Sequence, residues 1–150
     1  MRKITHLIIH HSATEDSGLL SWLAIRKFHT DPPPAGRGWA DCGYNYGLEK
    51  IEDRYVILKG RLDHVPGAHS TGYNSISLGI CCVGNFDKVG MPRDQEFMLL
   101  DLCRSLMMIY GIQPENILGH RETYVKQGVP VQKSCPGNMV SMDRLRALLT

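Results

Sequence analysis

Residues 6–11, HLIIHH, place three aliphatic side chains in succession before two adjacent histidines and the small polar turn Ser-Ala-Thr. A half-exposed strand alternates apolar and polar positions, whereas an unbroken apolar run of this length suits a strand covered on both faces. ISLGICCVGNF is a second apolar strand ending in turn residues, and YNYGLEK and RYVILKG, separated by IEDR, predict a strand pair joined through a tight polar connection. In LLSWLAIRKFHTD, Ser21 offers a helix start, Leu23 and Phe28 stand near helical spacing, and the prolines at 32–34 stop the helix. RDQEFMLLDLCRSLMMIYG is the clearest helix: Phe97, Leu100, Cys103 or Arg104, and Met107 or Met108 keep an i, i+3, i+4 rhythm, with the methionines as core filler and Gly111 as the stop. ILGH predicts a short last strand, ETYVKQGVPVQKSCPG an irregular segment and MDRLRALL a closing helix. Strands alternating with helices define an α/β fold, a central mixed β-sheet flanked by α-helices.

The 150 residues suit one domain over 1–150, able to remove roughly 70% of the unfolded surface from water. Seventeen Lys and Arg against 15 Asp and Glu leave +2, with no basic run interleaved with aromatics, so no nucleic-acid partner is expected. No apolar stretch reaches about 18 residues, so no membrane span is expected. The opening MRKITHLIIHHSA has basic residues and a short apolar run, but histidines interrupt it, and it reads as the first strand rather than an export signal. The expectation is a chain that is cytoplasmic as synthesised. Five cysteines without a CxxC pair suit a reducing compartment, with Cys81, Cys82 and Cys103 as inert packing.

Seven histidines stand at 6, 10, 11, 29, 64, 69 and 120. Strand alternation forbids His10 and His11 from serving the same site, so one is functional and the other a bystander. Ligands of open α/β sheets gather at the carboxyl ends of strands, where His10 or His11 stands and where His120 ends the apolar NILG. Cys135 lies in the turn KSCPG, which apolar burial does not explain. A thiolate with two neutral imidazoles is a tetrahedral zinc set with one position left for water, and its softness favours zinc over magnesium or calcium. Spacing alone does not separate this set from a chance one. His6 and His29 are structural or exposed, and His64 lines a turn with Pro66. Asp63 and Glu122 are local hydrogen-bond partners, either able to orient a ligand imidazole.

HLIIHHSAT, GWADCGYNYGLEK, GAHSTGYNSISLGICCVGNFD, GHRE and KSCPG occur in an order that resembles the zinc-dependent N-acetylmuramoyl-L-alanine amidases of the phage lysozyme and peptidoglycan-recognition-protein type, the amidase type 2 family. The likeness covers nearly the whole chain, and five blocks in register are specific where one is weak. It implies a peptidoglycan-recognition-protein-like fold and Zn2+ held by His10, His120 and Cys135, with His11 at a variable position. It further implies Tyr44 beside the metal, Lys133 facing the metal-bound carbonyl, and His69 in the groove that binds glycan-peptide. The implied reaction is hydrolysis of the amide between N-acetylmuramic acid and L-alanine in peptidoglycan, for endolysin-like lysis or wall turnover. Lys133 would hold the oxyanion and Tyr44 would orient the water or relay its proton. Two features depart from the pattern: YVKQGVPV lengthens the segment from His120 to Cys135, and Cys81 stands where recycling amidases carry a glutamate. The alternatives are a non-catalytic muropeptide-binding module and a metal-free cysteine hydrolase using Cys135 with His120. The expected partner is peptidoglycan or a muropeptide, and the expected state a monomer without a separate wall-binding domain.

Overall fold

A computed structural model describes residues 2–16 and 21–150. Its elements are β1 (His6–His11), α1 (Ser21–Thr30), β2 (Tyr46–Ile51), β3 (Arg54–Lys59), β4 (Ser77–Cys82), α2 (Arg93–Tyr110), β5 (Ile117–Gly119), α3 (His120–Lys126) and α4 (Met142–Ala147). The strands form one mixed sheet in the order β3-β2-β4-β1-β5. β1 runs parallel to β4 and β5, β2 runs parallel to β4, and β2 and β3 form the expected antiparallel pair. Among the described residues no helix is long and apolar enough to cross a membrane.

The two faces of this sheet differ in kind. Leu7, Ile9, Leu48, Leu78, Ile80 and Cys82 point to one face, where they form the main core with Leu99, Leu100, Leu102, Cys103 and Leu106 of α2 and with Met142 and Leu145 of α4. The other face presents Ile8, His10, Gly47, Gly79 and Cys81, the residues that alternate with the first set. Both faces are covered, which is why β1 reads as a continuous apolar run: five of its six positions are buried.

Small residues on the second face make room for large ones above it. The Trp22 indole of α1 lies across Gly47, where a Cβ would come within 2.5 Å of its ring, and it belongs to a second cluster with Cys42 and Cys81. Tyr44 packs against Trp22 with ring centroids 6.3 Å apart.

Three expectations about the helices need correction. In α1 the buried residues are Trp22 and His29, while Leu23 and Phe28 are 57% and 50% exposed, because the glycine under Trp22 sets the phase. In α2, Leu100 and Cys103 are buried as expected and Met107 packs against the core, but Phe97 and Met108 are exposed. Gln95, Leu99, Leu102 and Leu106 take the centre of the buried stripe, since FMLLDLCRSLMMIY is apolar around much of its circumference and its rhythm does not fix which side faces the sheet. Phe97 is instead covered by the Arg93 guanidinium, 5.3 Å from its ring centroid. Gly111 ends α2 in the left-handed conformation, with its N–H donated to Met107. Finally, the segment after β5 is not irregular throughout, for it opens with α3.

Gly47→Ala should force Trp22 off the sheet and lower stability by about 1–3 kcal/mol, the usual range for overpacking. A thermal unfolding midpoint equal to that of the parent would show that α1 is free to shift.

Candidate metal centre and its cleft

The pairing of β1 with β5 aligns Ile9 with Gly119, so the next residue on each strand path is a histidine, His10 on β1 and His120 at the start of α3. Their rings lie 4.6 Å apart. Cys135 joins them with its Sγ 3.5 Å from His10 Nδ1. His10, His120 and Cys135 are all buried, and each offers one donor atom within 4.8 Å of the other two. A tetrahedron with zinc–nitrogen distances near 2.0 Å and zinc–sulfur distances near 2.3 Å has an N···S edge of about 3.5 Å, so this donor set fits that ion.

Cys135 returns to the strand ends because the GHRE block grips its loop. The Arg121 backbone N–H donates to the Cys135 carbonyl at 2.7 Å, and its guanidinium donates to the carbonyls of Ser134, Gly137 and Val140 at 3.0, 2.7 and 2.7 Å. From the other side the Asp87 carboxylate accepts the Ser134 hydroxyl at 2.7 Å and the Asn138 N–H at 2.8 Å. The long connection from α3 therefore does not displace the sulfur. His11 is engaged elsewhere, its Nδ1 accepting the Phe86 N–H at 3.2 Å. His11 also supplies a backbone N–H to Cys135.

Burial dominates the electrostatics. It pushes His10 well below the ordinary histidine range, with further lowering from His69 and His120, and it lowers His120 to about 4, with Lys133 adding to the effect. Both imidazoles are neutral at pH 7 and keep lone pairs for a metal. Burial raises the Cys135 thiol to about 11, partly offset by the His11 N–H and the charges of Lys133 and Arg121.

Tyr44 stands beside this group, its ring 5.1 Å from that of His10 and 5.6 Å from that of His29. Burial holds its hydroxyl well above the ordinary tyrosine range, followed by the influence of Cys81, to which it is hydrogen-bonded. Lys133 is exposed on the lining of the same cleft. His69 also lines it, although the ring is buried and its Nδ1 lies 3.0 Å from His10 Nε2. Asp63 accepts the hydroxyls of Tyr46 and Tyr110, and Glu122 pairs with Arg146 and the Gly119 N–H, so both serve local structure. His29 is structural too, accepting the Gly43 N–H at 3.1 Å.

The cleft above the cluster measures about 960 Å³ and is lined also by Arg37, Trp39, Tyr124 of α3 and Gln127 at the end of that helix. That volume lies at the upper end of ligand pockets. Sequence reasoning missed Arg121, Asp87 and Tyr124. Tyr124 stacks on His120 with centroids 5.3 Å apart, and the i, i+4 spacing of these two residues is the available signal, hidden because the sequence of the segment reads as irregular.

Comparison with known proteins identifies the family. A family model described as N-acetylmuramoyl-L-alanine amidase matches residues 1–138. The endolysin of Klebsiella phage KP32 is 31% identical over 91 residues, 61% of this chain and 55% of that protein, so the chain spans about half the length of the phage relative. An N-acetylmuramoyl-L-alanine amidase of Mus musculus is 30% identical over 142 residues, 88% of this chain and 24% of that protein. Among solved structures, the amidase LysC from Clostridium intestinale superposes with a TM-score of 0.76 at 26% identity, covering 99% of this chain and 86% of that one. A tyrosine-to-phenylalanine mutant of Drosophila PGRP-LB, solved in complex with tracheal cytotoxin, gives 0.71 at 26% identity, covering 93% and 79%. With that family model matching residues 1–138, the chain belongs to the N-acetylmuramoyl-L-alanine amidase family.

Proposed function

We propose that this protein is a zinc-dependent hydrolase that cuts the amide bond between N-acetylmuramic acid and L-alanine in peptidoglycan. The observation that carries the proposal is the buried meeting of His10, His120 and Cys135 at the floor of a large cleft. The family supports the reaction, the phage endolysins support a lytic role, and the tracheal cytotoxin complex of PGRP-LB supports a glycan-peptide as occupant of the cleft.

Held by these three side chains, zinc would supply Lewis acidity toward the amide carbonyl and acidify water toward a pKa of about 7. The chain's own residues do the rest. Lys133, exposed on the cleft lining, would offer its ammonium to the carbonyl oxygen as that becomes anionic. Tyr44 keeps its proton at neutral pH and therefore acts as a donor that orients water or the leaving group, not as a base. Cys81 occupies the position of the missing carboxylate and pairs with Tyr44, so proton removal falls to no acidic side chain there. The metal-free cysteine mechanism is disfavoured physically, because such a nucleophile needs a lowered thiol pKa and burial raises that of Cys135.

Zinc-loaded protein should hold one ion per chain and release stem peptides with a free L-alanine amino terminus from muropeptides, as read by mass spectrometry. A strong chelator should abolish the release and added zinc restore it. Tight muropeptide binding without cleavage would assign a recognition module, and activity surviving the chelator would assign the cysteine mechanism. Cys135→Ser should lose zinc and turnover together. Lys133→Ala should keep zinc while kcat falls by about 10²–10³-fold; an unchanged kcat would remove the oxyanion role.

Acid should destabilise the metal-free protein. His120 is held at about 4 and His69 at about 3 in the fold, against 6.5 ordinarily, so the unfolded chain takes up protons first. Stability should be level above about pH 6.5 and fall as pH drops through that value toward 4. A metal-free unfolding midpoint that stays constant across this window would mean the imidazoles are not held neutral.

A further inference from the structure

Both ring nitrogens of the cleft histidine His69 face protein partners at hydrogen-bonding distance: Nδ1 lies 3.0 Å from His10 Nε2, and Nε2 lies 3.4 Å from the Ser77 hydroxyl. The direction of each bond follows from the far end of the chain. The Ser77 hydroxyl donates its single hydrogen to the Tyr73 carbonyl at 2.7 Å. Toward His69 its oxygen can only accept, so His69 Nε2 carries the hydrogen. A neutral imidazole has one N–H, which leaves His69 Nδ1 as a bare lone pair. Two lone pairs 3.0 Å apart repel, so His10 Nε2 carries a hydrogen and donates it to His69. His10 Nδ1 is then the unprotonated nitrogen, and it is the atom that faces Cys135 Sγ at 3.5 Å.

The ring has been given a built seat. A Cβ on Gly79 would come 2.6 Å from two of its carbons, and one on Gly67 would strike it as well, so both neighbours must lack side chains for the ring to lie where it does. The Asn74 side-chain oxygen accepts the backbone N–H groups of His69 and Ser70, at 2.9 Å each, and fixes the turn that carries the ring.

We propose that His69 is a positioning residue for the metal ligand His10: the relay from the Tyr73 carbonyl through Ser77 and His69 locks His10 as its Nε2–H tautomer and aims Nδ1 at the metal. This rests on the reading of His10 as a zinc ligand. Ligating histidines ordinarily donate their other N–H to a carboxylate, a carbonyl or water, and such partners commonly set metal affinity by 10–100-fold. An imidazole in that place orients the ligand while adding no negative charge.

Long-range proton–nitrogen NMR correlations of the histidine rings in the metal-free native chain, at about pH 7.5 where an ordinary imidazole is neutral, report the tautomers without substrate or substitution. Both His69 and His10 should appear as Nε2–H forms, and a His69 protonated on Nδ1 would overturn the proposal. Zinc affinity measured by chelator competition gives the second readout. His69→Ala should weaken it by about 10–100-fold, whereas His69→Asn, whose Oδ1 can still accept from His10 Nε2, should stay within a few-fold of the parent. Parent-like zinc affinity in His69→Ala, with the Kd for muropeptide raised in a direct binding measurement, would make His69 a substrate contact instead. Neither readout uses turnover, so loss of the relay and failure of the amidase assignment give different results.

Discussion

The parallel ladder joining β1 to β4 and β5 is the constraint from which the site follows. Its register pairs Leu7 with Ile117, Ile8 with Leu118 and Ile9 with Gly119, and the path beyond places His10 and His120 side by side. A slip of one residue would exchange the faces of β1 and send His10 into the apolar core with Ile8, while His11 took its place. That core resists the exchange, since a slip would bury imidazole among leucines and isoleucines and bring Leu7 and Ile9 to the cleft side. The hydrophobic packing of one face thus selects the histidine on the other.

The second face is built by omission. Gly47 admits Trp22, Gly79 and Gly67 admit His69, and Cys81 is small enough to leave Tyr44 beside His10. Large side chains in these positions would produce a more ordinary two-layer core and no cleft floor. Arg121 completes the arrangement from outside the sheet, satisfying three carbonyls of the Cys135 loop with one guanidinium. A lysine, with a compact ammonium and no planar fork, could not reach the same three acceptors together.

Much of this was legible in the sequence, for definite reasons. Continuous apolar runs revealed β1 and β4, and alternation separated His10 from His11, because both signals are local consequences of strand geometry. The trio His10, His120 and Cys135 came from motif order, since no spacing rule spans the 125 residues from His10 to Cys135. The helix phases were not legible: α2 is apolar around too much of its surface, and α1 is oriented by a glycine on a different element. Arg121 and Asp87 were equally hidden, because their role is to satisfy backbone groups of a distant loop, and backbone leaves no residue-type signal.

Burial sets the protonation states of the candidate metal centre, and it acts on the three donors in opposite senses. Removing His10 and His120 from water lowers their pKa values, so the imidazoles stand ready to bind with no proton to lose. The same removal raises Cys135, so the sulfur becomes a ligand only by giving up a proton. The loop that delivers Cys135 also moderates this cost, through the His11 N–H and the nearby charges of Lys133 and Arg121. Lys133 therefore acts on two parts of the site at once. Its charge disfavours protonation of His10 and His120 and favours the thiolate, so the cation proposed for the oxyanion would also prepare all three donors. A carboxylate in the position of Cys81 would oppose both effects by favouring imidazolium and disfavouring thiolate, and the neutral sulfur found there avoids that conflict.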